Sequence, residues 1–309
     1  MITHLGAKRL DSNESMFLQR QLDYIKQQTY DIKYAELKAR KLIPVSSEAD
    51  PGAERIFYRQ YDQSGIAKII SNYADDLPDA DVSGKEYYAT VKTLGSSYKY
   101  NLQEMRAATY GNVPLEQRRA NAARRAIAQK ENRLAFFGDV KSGLVGLIGA
   151  PNVTSVTIPN DGTGTSKLWT TKTPDQILRD MNLVANTVVS TSLGVEIPDT
   201  LLLPLAQYNY VASTARSANS DTTILNYFLQ NNPYVKQVEW VNELYHATTT
   251  IDRMYAYRRS PEVLTLEIPS DFEQLEMQIR NLVYKIPCIE RFGGVLIYYP
   301  LAIAYGDGL

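Results

Sequence analysis

The chain has 309 residues, 44% apolar and 22% charged, with 33 Lys/Arg against 34 Asp/Glu. That length allows one large domain or two modest ones, and a net charge of −1 excludes a general electrostatic pull toward nucleic acid or membrane. No apolar run approaches the ~18 residues of a membrane span, no secretory core opens the chain, and Cys288 has no disulfide partner; a soluble chain folded in a reducing cytoplasm is expected.

Residues 13–41 read as a charged amphipathic helix or helix pair, with Phe17, Leu18, Ile25, Ile32 and Leu37 among its apolar positions and Pro44 ending it. Residues 54–100 read as β-rich. Ile56, Tyr58 and Gln60 alternate with Phe57, Arg59 and Tyr61, and Tyr87 to Leu94 gives a second strand. Between them lies an acidic turn, Asp75 to Gly84. This excursion has few bulky aliphatics and is hard to bury alone, so it would be steadier lying across another subunit.

Next comes a long Ala/Arg-rich helix, residues 114–137, with Pro114 at its first turn and Gly138 at its C-terminal cap. Leu115, Ala122, Ala126, Leu134 and Phe137 are expected to share one narrow apolar stripe. The basic side chains Arg118, Arg119, Arg124, Arg125, Lys130 and Arg133 surround it, and ordinary ion pairing accounts for most of them. A positive wall facing packaged DNA is the alternative. A glycine-spaced apolar segment, Gly143 to Val153, follows.

From 151 to 268 strands and helices alternate. Helices are expected at 174–192, with Thr173 as N-cap, at 205–215 and at 224–231; strands are expected at 200–203, 235–241 and 253–257. Trp240 looks exposed. In the last unit Leu275, Met277 and Ile279 alternate, then the phase slips to Leu282, Tyr284, Ile286 and Cys288. A β-bulge near Asn281 in one long bent strand would restore it. Gly293-Gly294 would then turn the chain back along Val295–Tyr305.

Motifs that could carry chemistry are weak. Asp79 to Gly84 copies the start of a calcium loop, but its twelfth position is Thr90, so an Asp/Gly turn fits better. Gly162 to Lys167 lacks the spacing of a phosphate loop and reads as a hairpin tip. Only His4 and His246 exist, neither beside a cysteine or paired acid, and Cys288 reads as a buried small hydrophobe. No catalytic, cofactor-binding or metal-binding residue is assigned, and a non-enzymatic protein is expected. The 22 tyrosines suit sheets and interfaces alike.

The order of parts resembles the major capsid proteins of tailed phages, the Hong Kong 97-like fold, in a siphophage-type group. The resemblance rests on Asp75-Asp76-Leu77-Pro78, the Gly111 helix entry, Phe137-Gly138, and Gly143 to Leu147 before Pro151-Asn152-Val153. It covers nearly the whole chain and implies an α+β fold. Residues 1–42 would be an N-terminal arm and 43–110 an extended β loop. Residues 111–150 and 269–309 would form a peripheral domain with a spine helix, and 151–268 an axial domain. The implied function is a self-assembling icosahedral head shell around double-stranded DNA, built of hexamers and pentamers in the host cytoplasm. Its implied partners are portal and scaffolding proteins, a decoration protein, and DNA contacted non-specifically. An encapsulin-type nanocompartment that packages a cargo enzyme shares the fold and is the rival reading.

Overall fold

The computed structural model describes residues 34–65, 79–111, 115–217, 221–248 and 251–309. In chain order a one-turn helix α1 (Ala39–Leu42) leads to strands β1 (Val45–Ser46), β2 (Arg55–Ser64), β3 (Asp81–Thr90) and β4 (Lys92–Asn101). Helices α2 (Leu102–Tyr110) and α3 (Leu115–Phe137) follow, then β5 (Thr154–Thr157), α4 (Pro174–Thr191) and β6 (Thr200–Leu203). Next are α5 (Leu205–Ser213), α6 (Ile224–Asn231), β7 (Gln237–Trp240), β8 (Arg253–Tyr257) and β9 (Leu264–Glu267). The chain closes with β10 (Ser270–Gln274), β11 (Gln278–Arg280), β12 (Val283–Phe292), β13 (Gly294–Ile297) and β14 (Ile303–Asp307). The result is an α+β architecture.

A five-stranded sheet in the order β5-β14-β8-β6-β7 divides the two main cores. Its β6 and β8 are buried at every position, as the apolar runs Leu201–Leu203 and Met254–Tyr257 require of strands covered on both faces. Leu201, Leu203, Met254, Ala256 and Ala304 face Ile177, Met181, Val184 and Val188 of α4. Leu202, Tyr255, Tyr257 and Ile303 face the other way, against Phe136, Leu147, Leu264, Leu266 and Phe292. Thr173 caps α4 as its sequence indicates, accepting from the Gln176 amide while the Gln176 side chain accepts from Thr173.

The second sheet is long. Strand β12 pairs antiparallel with β4 over ten residues, from Val283↔Asn101 to Phe292↔Lys92, and its other edge takes β10 and β11. Helix α3 lies on one face of it and forms a third core with Tyr98, Tyr100, Ala123, Ile127, Ile286 and Cys288. The buried face of α3 is therefore one residue out of phase with the expected stripe. Ala123, Ile127, Glu131, Leu134 and Ala135 are buried, whereas Ala122, Ala126 and Phe137 are exposed. The buried face also takes in two polar residues, Glu131 and Asn132.

Gly138 ends α3 with φ +66°, and a Cβ there would sit 2.6 Å from the Leu144 carbonyl. A Cβ on Gly146 would sit 2.7 Å from the Phe136 carbonyl. The glycine-spaced segment thus folds back tightly on the helix end, with Leu147 and Ile148 amides bonded to the Ala135 and Phe136 carbonyls.

Four expectations need correction. The phase slip at Asn281 is a hairpin turn, not a bulge: Asn281 and Leu282 take φ +48° and +62° and β11 pairs back on β12. The ladder breaks instead at Leu275–Met277, alongside Pro287, which has no amide hydrogen to donate. Gly293-Gly294 does not return the chain along β12; it passes β13 into a different sheet, against β9. Asp81 to Gly84 lie in strand β3 rather than in a turn, while 75–78 fall outside the described residues. The reading of 87–94 as one strand is also split, because β3 ends at Thr90 and β4 begins at Lys92.

Candidate assembly surfaces

Strands β2 and β3 form a two-stranded ribbon paired from Arg55↔Thr90 to Ser64↔Asp81. Period-2 alternation gives it two faces. One carries Phe57 and Tyr88, ring centres 6.0 Å apart, with Arg55 5.3 Å above Tyr88 and Tyr61 and Val82 further out. These four apolar side chains are 56–64% exposed. The other face stacks Tyr58 on Tyr87 at 5.2 Å and sets Tyr58 edge-on to Tyr298 at 5.0 Å. Burial, with Tyr87 and Tyr298 beside it, pushes the pKa of the Tyr58 hydroxyl up, making it less acidic than usual. A cleft of about 960 Å³ opens beside the ribbon, lined by Tyr58, Tyr61, Val195, Tyr298, Tyr299 and Leu301 among others. An isolated two-stranded ribbon is marginal in water, and this one leaves its aromatic outer face uncovered.

Residues 37–46 are clamped to the rest of the unit. Lys38 bonds Glu239 at 3.1 Å and sits 3.4 Å over the Trp240 ring, so Trp240 is half-buried rather than exposed. Lys41 also reaches Glu239 at 3.1 Å. Burial pushes the Glu239 carboxyl up, but Gln237, Lys38 and Lys41 together bring it below the ordinary carboxylate value. The Ala39 amide donates to Asn132 at 3.0 Å, and Tyr257 donates to the Leu42 carbonyl at 2.8 Å. Leu42 and Ile43 are fully buried, and β1 runs parallel to β9.

Arg40 completes the clamp. It donates two bonds of 2.8 Å to Glu131 and one of 2.8 Å to Asp271, and lies 3.6 Å from Glu290. Burial, then the neighbouring Glu131, pushes the Glu290 carboxyl up to about 8, while Arg40 holds Asp271 below its usual range. These partners are 91 and more residues apart in sequence, and no local pattern announces them. The one available signal was Glu131 itself, in phase with Ile127 and Leu134 on the buried side of a helix.

Two further apolar surfaces stand out. The β11–β12 hairpin shows Met277, Ile279 and Leu282 at 46–70% exposure, and the turn after α4 shows Leu193 and Val195 at 91% and 76%. On α3, Arg119 is occupied by the Lys99 carbonyl and Glu104, and Arg124 lies 5.3 Å over Phe272. Lys130 and Arg133 are exposed.

The sequence motifs of doubtful chemistry find structural roles. Gly162 and Ser166 pair in a small hairpin with Thr165 at its tip, φ +58°. Cys288 is fully buried against α3, and burial pushes its thiol up. His246 lies 3.5 Å from Asp252 on the surface. Among the described residues no group of three His, Cys, Asp or Glu side chains is placed to hold a metal ion, and no helix is long and apolar enough to cross a membrane. Helix α2, missed in the sequence, was signalled by Asn101-x-x-Glu104, which forms a reciprocal capping box.

Comparison with solved structures finds the same fold in phage heads. The capsid of Myoviridae phage XM1 superposes with a TM-score of 0.82 at 17% identity, covering 96% of this chain and 99% of that one. A structure from Mycobacterium phage Bobi gives 0.64 at 15% identity, covering 93% and 95%. A virus-like particle from Pyrococcus furiosus gives 0.57 at 13% identity, covering 86% and 90%. No match is found among curated protein sequences. The fold is thus the Hong Kong 97-like α+β fold that the order of elements implied. The profile of the family described as "Major capsid protein" matches residues 65–309, and the chain belongs to that family.

Proposed function

We propose that this chain is the head-shell subunit of a tailed bacteriophage, assembled in the host cytoplasm as hexamers and pentamers around double-stranded DNA. The observation that carries the reading is the β2–β3 ribbon, paired at ten positions, whose outer aromatic face is left exposed among the described residues. A second copy supplies the missing cover, in keeping with a family whose members form shells. Residues 1–42 then act as the arm, 43–110 as the extended loop, 111–150 and 269–309 as the peripheral domain, and 151–268 as the axial domain. Within the loop span, β4 belongs to the long sheet, which leaves β2 and β3 as the described part outside it. Portal, scaffolding and decoration proteins are the further partners of such a shell, and Lys130 and Arg133 on α3 are suited to non-specific phosphate contact. The encapsulin reading is less supported, resting on a weaker superposition with the archaeal particle.

Negative-stain microscopy of the purified chain, co-expressed with a scaffold, tests this directly. Uniform shells or rings of five and six subunits that bind portal protein are expected. A monomer under all assembly conditions would remove the reading, and shells that carry an enzyme cargo would favour the encapsulin one.

A further inference from the structure

Three acidic side chains meet one guanidinium where α1, α3, β10 and β12 come together. Asp271 is in water, with its side chain 65% exposed, but those of Glu131 and Glu290 are only 3% and 2% exposed. Both reach the same Arg40 nitrogen, at 2.8 and 3.6 Å, and among the described residues Glu290 Oε1 receives no hydrogen bond. A buried carboxylate oxygen without a donor is costly, and a proton on the carboxyl relieves that cost. The charge count agrees. Among the described residues Arg40 is the cation within reach, and with both acids ionised the dry joint would hold two negative charges against that one positive.

We propose that the Glu131–Glu290 pair holds one proton at neutral pH, and that losing it loosens the grip of the core on residues 37–46. The other charged groups at the joint leave this count unchanged. From α1, Lys38 and Lys41 are turned to Glu239. From α3, Arg124 lies over Phe272 and acts on Asp271, and the neutral Asn132 bonds Ala39 and Glu243. From β12, Arg291 points to the opposite face, toward Thr93 and the Ala53 carbonyl.

The direction follows from which effect is larger. Burial is the main force keeping Glu290 protonated and repulsion from Glu131 the next; attraction to Arg40 opposes both and is smaller. Arg40 is itself 42% exposed and already committed to Glu131 by two short bonds, so it gains little from a second buried charge. An ionised pair is relieved by water, and the side chain over it belongs to α1. Opening α1 returns Glu290 toward ordinary acidity and so releases a proton. Rising pH therefore favours opening, between the ordinary value near 4.5 and the raised one near 8, by up to about tenfold per pH unit.

Residues 37–46 join residues 1–36 to the rest of the chain. In a shell, the state of this joint would set how firmly the arm is anchored; that consequence rests on the capsid reading, whereas the proton site does not.

Hydrogen exchange of the soluble full-length chain reads the joint through the Leu42, Ile43, Leu266 and Ile268 amides, which bond the carbonyls of Lys38, Ala39, Pro44 and Ser46. After correction for chemical exchange, opening should rise from pH 5 to pH 8 in the parent and stay flat in Glu290→Gln. Infrared spectroscopy at pH 7 should show the carbonyl band of an un-ionised acid in the parent and not in the variant. A flat parent profile, or no such band, overturns the proposal. Should Glu290→Gln fail to fold, Glu131→Gln serves, moving the rise to lower pH. Because the soluble chain is used, failure to form shells bears on the proposed function alone.

Discussion

Glu290 shows how one side chain ties the fold to pH. Its folded-state carboxyl is raised from about 4.5 to about 8, chiefly by burial. Such a group stabilises the fold fully below its unfolded value, and the contribution is lost as pH climbs through the folded one. Urea unfolding should therefore show stability falling between pH 5 and pH 8, by at most ~1.4 kcal/mol per unit. Glu290→Gln should flatten that slope, and an unchanged slope would assign it to other groups. Gly138 makes a conformational demand of similar size. With φ +66° and the Leu144 carbonyl 2.6 Å from any Cβ, Gly138→Ala should cost about 2–3 kcal/mol in denaturant melts. The two residues differ in how they could be read. Gly138 sits where a helix pattern stops, which a local signal marks. Glu290 owes its state to burial and to Glu131, both supplied only by the folded chain.

At the scale of elements, legibility followed local periodicity and failed at pairing. The α4 and α6 boundaries, and those of β6 and β8, lay in the sequence because caps and unbroken apolar runs are local features. The β11–β12 hairpin did not. Its turn is Asn281-Leu282, both residues at positive φ, and it lacks the glycine that usually marks such a turn. Leu282 is 70% exposed at φ +62°, so it carries backbone strain with little burial in return. Leu282→Gly should accordingly stabilise the chain by about 1 kcal/mol; an equal or lower melting temperature would show that the leucine packs where its exposure says it does not.

For the whole molecule, the sequence conveyed the class, the order of parts and the segment least able to bury itself. It did not convey which strands pair, because β12 finds β4 across nearly 200 residues and the register depends on both. Nor did it reveal the clamp on 37–46, which is built from charges that look solvated when read locally. The ribbon offers the most direct test at this scale. Phe57→Asp combined with Tyr88→Asp alters only exposed positions, so the subunit should keep its circular dichroism and melting temperature while shell yield falls at least tenfold by sedimentation. Normal shells from this variant would mean that the aromatic face is not an intersubunit contact. A mechanical consequence follows from the single residue, Val91, that separates β3 from β4. Ribbon and long sheet are one nearly continuous strand, so tension drawn along β4 is met by all ten β4–β12 pairs acting together. That is a shear geometry, in which the bonds share the load instead of tearing one after another.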